Sequence, residues 1–214
     1  LSFKNPSDSG TDLDPVILEK LMQLLPTAAH VNLFSTGEPT IAKNIEELLD
    51  LVKVKTNNTA FICMSTNGRH IPDGVMKRIM APRMGLQFSI DGGTKEVFES
   101  IRRGIKFEEI CHSLDMANRA RGGNPYPLFS FSSTISKRNL HDLIHIFELA
   151  AKYGINHVYF YEEDPEVAEE EAFILDPTDR ATFEAQLKHI NDTGVPYSNG
   201  LYFRGQKGLL SVNP

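Results

Sequence analysis

The chain has 214 residues, 41% of them apolar and 23% charged, ordinary values for a globular protein of roughly one to two domains. Gly (15) and Pro (12) stand near average, which excludes collagen-like and low-complexity chains. No apolar run approaches the ~18 residues of a membrane span, and the first ten residues lack the basic-then-apolar pattern of a signal peptide.

The predicted elements alternate. β-rich runs fall at 30–34, 60–65, 85–90, 128–135 and 157–161, with a sixth near 200–203, each rich in Val, Ile, Phe or Tyr. Helical spacing joins Ile17, Leu18, Leu21, Leu24 and Leu25 before the first run. It recurs at Ile45, Leu48, Leu49 and Val52, at Leu143, Ile144, Phe147, Leu149 and Ala150, and over 182–190. Asp14 ahead of Pro15, and Asn139 ahead of the helix through Ala151, are expected to cap their helices, and Gly154 to stop the latter. Strand–helix alternation predicts an α/β fold with a parallel sheet, either doubly wound or part of a βα barrel. A complete eight-unit barrel needs ~250 residues, more than are here. No linker divides residues 1–214, which read as one domain.

Net charge is −6, from 22 bases and 28 acids. Seven of the acids lie between Glu162 and Glu171, a solvated stretch, and the other 21 nearly balance the bases. No basic face for nucleic acid is implied. Cys63 and Cys111 are the only cysteines. They form no disulfide framework or metal spacing, read as buried inert thiols, and fit a cytoplasmic compartment.

In parallel βα folds ligands bind at the carboxyl ends of the strands. Here those ends run into Ser35-Thr36-Gly37-Glu38-Pro39, Ser65-Thr66-Asn67-Gly68, Ser89-Ile90-Asp91-Gly92-Gly93, Ser132-Ser133-Thr134-Ile135-Ser136 and Tyr161-Glu162-Glu163-Asp164. Asn67-Gly68 and Asp91-Gly92 singly satisfy turn chemistry, but five such ends on one rim point to a polar small-molecule site. No P-loop, GxGxxG or GxSxG motif is present. His141 and His145 share a helical face but lack the carboxylate of a metalloprotease motif.

The ordered set Thr36-Gly37-Glu38-Pro39, Ser65-Thr66-Asn67-Gly68, Ser89-Ile90-Asp91-Gly92, then Arg102-Arg103-Gly104 and Phe107, resembles the core of radical S-adenosylmethionine (SAM) enzymes. The stretch from Ser133-Thr134 through Asn139 and Asp142-Leu143 to Gly154-Ile155 and Val158 continues it. The resemblance implies a partial parallel (βα)6 barrel whose first strand is missing from this chain. Residues 1–13 would be the tail of the cluster loop, 14–164 the core and 165–214 an extension of the barrel.

The resemblance further implies that Gly37 and Glu38 receive the amino group of SAM, and that Ser65 and Asn67 lie near its methionyl part and ribose. Ser89 and Asp91 would hold ribose hydroxyls. Arg102 would pair with the SAM carboxylate, with Arg103 next in line, and Ser133 and Tyr161 would lie nearer the adenine and the substrate. Such enzymes reduce SAM with a 4Fe–4S cluster to give a 5′-deoxyadenosyl radical that takes a substrate hydrogen, and they need an electron donor. The cluster is held by a CxxxCxxC loop that this chain lacks. Either the chain begins downstream of that loop, or it is a degenerate relative that binds a nucleoside- or sugar-like ligand. On either account the chain alone is expected to be catalytically silent.

Overall fold

A computed structural model describes residues 15–33, 37–162 and 175–200. Its six strands are β1 (His30–Leu33), β2 (Phe61–Thr66), β3 (Met84–Ser89), β4 (Leu128–Ile135), β5 (His157–Glu162) and β6 (Tyr197–Gly200). They pair in chain order, every pair parallel. The helices are α1 (Pro15–Leu24), α2 (Ile45–Lys55), α3 (Asp73–Ile79), α4 (Lys95–Ile101), α5 (Phe107–Arg121), α6 (Leu143–Lys152) and α7 (Asp179–Asn191). Strand pairs are thus joined by helical crossovers, as parallel pairing requires.

One face of the sheet is sealed. Met64, Leu86, Phe88, Phe129, Phe131, Val158 and Phe160 alternate along their strands and are essentially inaccessible. They meet Leu49, Val75, Ile79, Ile110, Leu143, Ile146 and Phe147 from the helices in one apolar cluster. Phe147 packs at a tilt against Phe160 and meets Tyr197 edge-on, both with ring centroids 5.6 Å apart. Each such buried side chain contributes about 1.5–3 kcal/mol. Helix ends follow their charges: Glu46 and Glu47 open α2, and Lys53 and Lys55 close it, each sign matched to the helix dipole.

The other face is half-open. Cys63, Ser65, Gln87, Ser89, Ser130, Ser132 and Tyr159 are all partly exposed. The loop after β1 and Tyr161 on β5 line one cavity. In a flat sheet those strands would stand ~19 Å apart, so the sheet curls into a partial barrel with this face inward.

Two expectations are adjusted. The sixth strand runs Tyr197–Gly200, earlier than 200–203, and positions past Gly200 lie outside the described residues. Asn139 precedes a 3-10 turn, Leu140–Asp142, and its side chain caps no helix. Instead Nδ2 donates to the carbonyls of Asp91 and Thr134, and Oδ1 accepts from Ser136 N, each at 2.8 Å. Gly154 does stop α6, at φ 63°. Thr36, residues 1–13, Asp14 and the acidic run beyond Glu162 lie outside the described residues, as do Glu163 and Asp164.

Candidate active site

Glu38 ties the loop after β1 to the end of β2. Its Oε1 accepts from Thr40 N (3.1 Å), Thr40 Oγ1 (2.6 Å) and Thr66 Oγ1 (2.8 Å), and Oε2 accepts from Asn67 N (2.6 Å). The preceding Gly37 sits at φ 111°, a conformation natural only to glycine. The carboxylate is therefore already supplied with donors by the protein itself. The turn at Asn67 closes on itself, Arg69 N donating to Asn67 Oδ1 at 2.9 Å.

At the end of β3 Asp91 is 5% exposed. Its Oδ1 accepts from Thr134 N at 2.8 Å and its Oδ2 from Arg102 Nε at 2.6 Å. Arg102, the residue that ends α4, is thereby held by one nitrogen, and among the described residues its two terminal nitrogens have no partner. The next turn is fixed from behind. Asp142, buried at the start of α6, accepts from Gly93 N (2.7 Å) and Thr94 N (3.1 Å) and bonds His145 Nδ1 (2.8 Å). Gly93 lies so close to α6 that a Cβ there would stand 2.1 Å from the carbonyl carbon of His145.

These elements enclose a cavity of about 1050 Å³ at the carboxyl ends of the strands. Gly37, Glu38, Ser65, Asn67, Ser89 and Arg102 all line it. Asp91 stands behind Arg102 rather than on the wall, and Ser133 faces the opposite way. Ser133 is 0% exposed, with its Oγ lacking any hydrogen bond; its neighbour Ser132 lines the cavity. The parity was readable: Phe129, Phe131 and Ile135 are the apolar half of β4, so the even positions face inward.

Gln87, Ile101 and Ile105 also line the cavity and were not anticipated. Gln87 is paired in register with Ser65, whose hydroxyl donates to Gln87 Oε1 at 3.0 Å. That alternation would have found it.

Charge sits at the mouth of the cavity, on Glu38, Arg102 and Arg103. Deeper on the inner face burial holds titratable groups neutral. The Cys63 thiol is pushed up to about 11, the Tyr159 phenol is raised and the His157 imidazole is lowered, each chiefly by desolvation. Cys111, on α5, is raised for the same reason. No group of three or more His, Cys, Asp or Glu suited to a metal occurs among the described residues. No described helix is long and apolar enough to cross a membrane.

A curled parallel sheet with a polar cavity at its strand ends defines a βα-barrel enzyme-type scaffold. Residues 5–150 match the radical SAM superfamily, and the chain belongs to that family. Over 152 residues it is 30% identical to the mycofactocin maturase MftC of Mycobacterium tuberculosis, which covers 71% of this chain and 36% of that protein. It is 32% identical over 104 residues to the GTP 3',8-cyclase of Chlorobaculum tepidum, covering 48% of this chain and 31% of that enzyme. The chain therefore spans about a third of these relatives' length. In fold it is similar to Streptococcus suis SuiB bound to S-adenosylmethionine, with a TM-score of 0.71 at 12% identity over 91% of this chain and 45% of SuiB. Members of this family use SAM and a 4Fe–4S cluster.

Proposed function

We propose that this chain is the SAM-binding portion of a radical SAM enzyme that acts on a peptide. The observation that carries the first part is Arg102, a guanidinium anchored by Nε to Asp91, whose remaining fork adjoins a cavity large enough for SAM. A planar fork suits a carboxylate. Main-chain carbonyls of the Gly37–Glu38 turn suit the ammonium group, since the Glu38 carboxylate is already supplied with donors. Ser65, Asn67 and Ser89 offer hydroxyl and amide groups to the ribose, and Ile101 and Ile105 an apolar wall.

The chemistry SAM supplies when bound and reduced is removal of a hydrogen atom from carbon. This chain's residues orient the cofactor, hold its carboxylate and keep the deeper wall uncharged. The cluster is another matter. Its thiolate ligands cannot come from Cys63 and Cys111, which sit on a strand and a helix with neutral thiols, so the described residues do not fit the cluster. An external electron donor completes the reaction. A peptide substrate is supported by relatives in fold: SuiB bound to its precursor peptide SuiA has a TM-score of 0.72 over 90% of this chain.

Calorimetric titration with SAM tests this reading. Arg102→Lys keeps a cation against Asp91 but removes the fork, and is expected to weaken SAM binding by about tenfold, as for loss of one charged hydrogen bond. Unchanged affinity in that variant, or no SAM binding by the native protein, overturns it.

A further inference from the structure

We propose that the inner wall below the SAM-binding rim selects a peptide segment whose reacting residue is uncharged, with Gln87, Ser130, Ser132 and Tyr159 as the groups that read it. This rests on the peptide reading above and adds to it the charge class of the residue admitted.

The strand register builds the wall in layers. Ser65, Gln87, Ser130 and His157 are matched across β2, β3, β4 and β5. One step nearer the rim, Ser89, Ser132 and Tyr159 are matched in the same way. A closed βα barrel fills such layers with branched aliphatic side chains and becomes solid. Here they hold hydroxyl, amide, imidazole and phenol groups, all of them partly exposed. These two layers contain no Asp, Glu, Lys or Arg. Burial keeps His157 and Tyr159 in their neutral forms, and Cys63 on the same face likewise. Among the described residues the cavity's ionic side chains are Glu38, Arg102 and Arg103, none of them on a strand.

The energetics follow directly. A carboxylate or ammonium group entering this wall loses hydration and meets no counter-charge among the described residues of the two layers, which is costly. A neutral amide, hydroxyl or phenol exchanges water for equivalent partners: the Gln87 carboxamide both donates and accepts, as do the serine hydroxyls. The His157–Tyr159 ring pair, with centroids 4.4 Å apart, adds a surface for an aromatic or aliphatic side chain.

The test uses the purified protein and three pools of N-acetylated, C-amidated tripeptides, whose central residue is neutral (Ser, Gln, Tyr), acidic (Asp, Glu) or basic (Lys, Arg). Equilibrium dialysis with mass-spectrometric detection, with and without SAM, reads retention. The neutral pool is expected to bind at least roughly tenfold more tightly than either charged pool, given the cost of an unpaired charge. Ser130→Asp is expected to admit the basic pool and weaken the neutral one, and Gln87→Lys to admit the acidic pool, giving a second route if one variant folds poorly. Equal retention of a charged pool, retention of no pool, or an order of pools unchanged in both variants overturns the proposal. Loss of SAM binding with the neutral preference intact strikes the SAM reading alone and leaves this selectivity standing. A preference for neutral oligosaccharides over every peptide pool overturns the peptide class.

Discussion

Arg102 reaches from the end of α4 to Asp91 at the end of β3, Nε to Oδ2 at 2.6 Å, while the other oxygen of Asp91 accepts from Thr134 N on β4. One buried carboxylate thus aligns two strand ends and a guanidinium. Arginine here is a positioned group rather than a mobile surface cation.

That relationship separates two substitutions. Asp91→Asn keeps an acceptor for Thr134 N but loses the charge against Arg102, so SAM affinity is expected to fall while stability changes little. Asp91→Ala also strands the Thr134 N–H and is expected to cost about 2–4 kcal/mol in urea unfolding, from one unmet buried donor and one lost charged bond. Equal unfolding midpoints for the two variants would contradict this role.

Glu38→Gln replaces an acceptor oxygen with a donor NH2 where Thr40, Thr66 and Asn67 all present donors. One donor must then face another. The loop after β1 is expected to loosen, seen as faster amide exchange at Asn67 and Gly68 and weaker SAM binding. Thr66→Val removes one of those donors and is expected to reproduce part of the effect. Native exchange rates in Glu38→Gln would show that the carboxylate does not hold the loop.

Two glycines differ in kind. Gly93→Ala drives a methyl group into the backbone of α6, so the turn or the helix must shift, and a loss of several kcal/mol is expected, at the upper end for single substitutions. At Gly37 a Cβ meets nothing within 4 Å, and only the strain of φ 111° remains, about 1–3 kcal/mol. Thermal unfolding of the two alanine variants should rank them in that order.

The pH dependence has a definite sign. Burial lowers the His157 pKa below its unfolded value, so the unfolded chain takes up this proton first as pH falls. The contribution is complete above the unfolded value of ~6.5 and is lost as pH drops through the lower folded value. Unfolding followed from pH 7.5 to 5 should show stability falling, with a shallower slope in His157→Gln. Cys63 acts at the other end. Its folded value of about 11 exceeds the 9.0 of a free thiol, so its contribution is present below the latter and is lost as pH rises through the former. Slow alkylation by iodoacetamide at pH 8 checks that the thiol stays protonated.

The strands were legible because the residues that build them carry a strong period. Phe129 and Phe131 on β4, and Val158 and Phe160 on β5, announce one buried face, and each run ends in small polar residues. The strand-end motifs put Gly37, Glu38, Ser65, Asn67 and Ser89 on one rim, the family resemblance added Arg102, and all six line one cavity. What adjacent residues of similar chemistry do was harder to read. Ser132 and Ser133 differ only in parity, and their roles separate only when the alternation of β4 is followed to its end. Gln87 has no motif, and it becomes visible through cross-strand register with Ser65. Asn139 looks like a helix cap in sequence, but two carbonyls brought close by folding, one of them 48 positions away, claim its side chain.

The division of each strand into a sealed face and an open one bears on how such a protein changes over time. Phe88 and Phe131 hold the scaffold together, while Gln87 and Ser130, one position away on the same strands, are partly exposed on the open face. A neutral substitution on the inner wall therefore costs less folding free energy than one on the sealed face, and one on the sealed face leaves the wall's chemistry intact. New specificity can be tried on this sheet without first securing extra stability, because durability and selectivity are written on alternate residues.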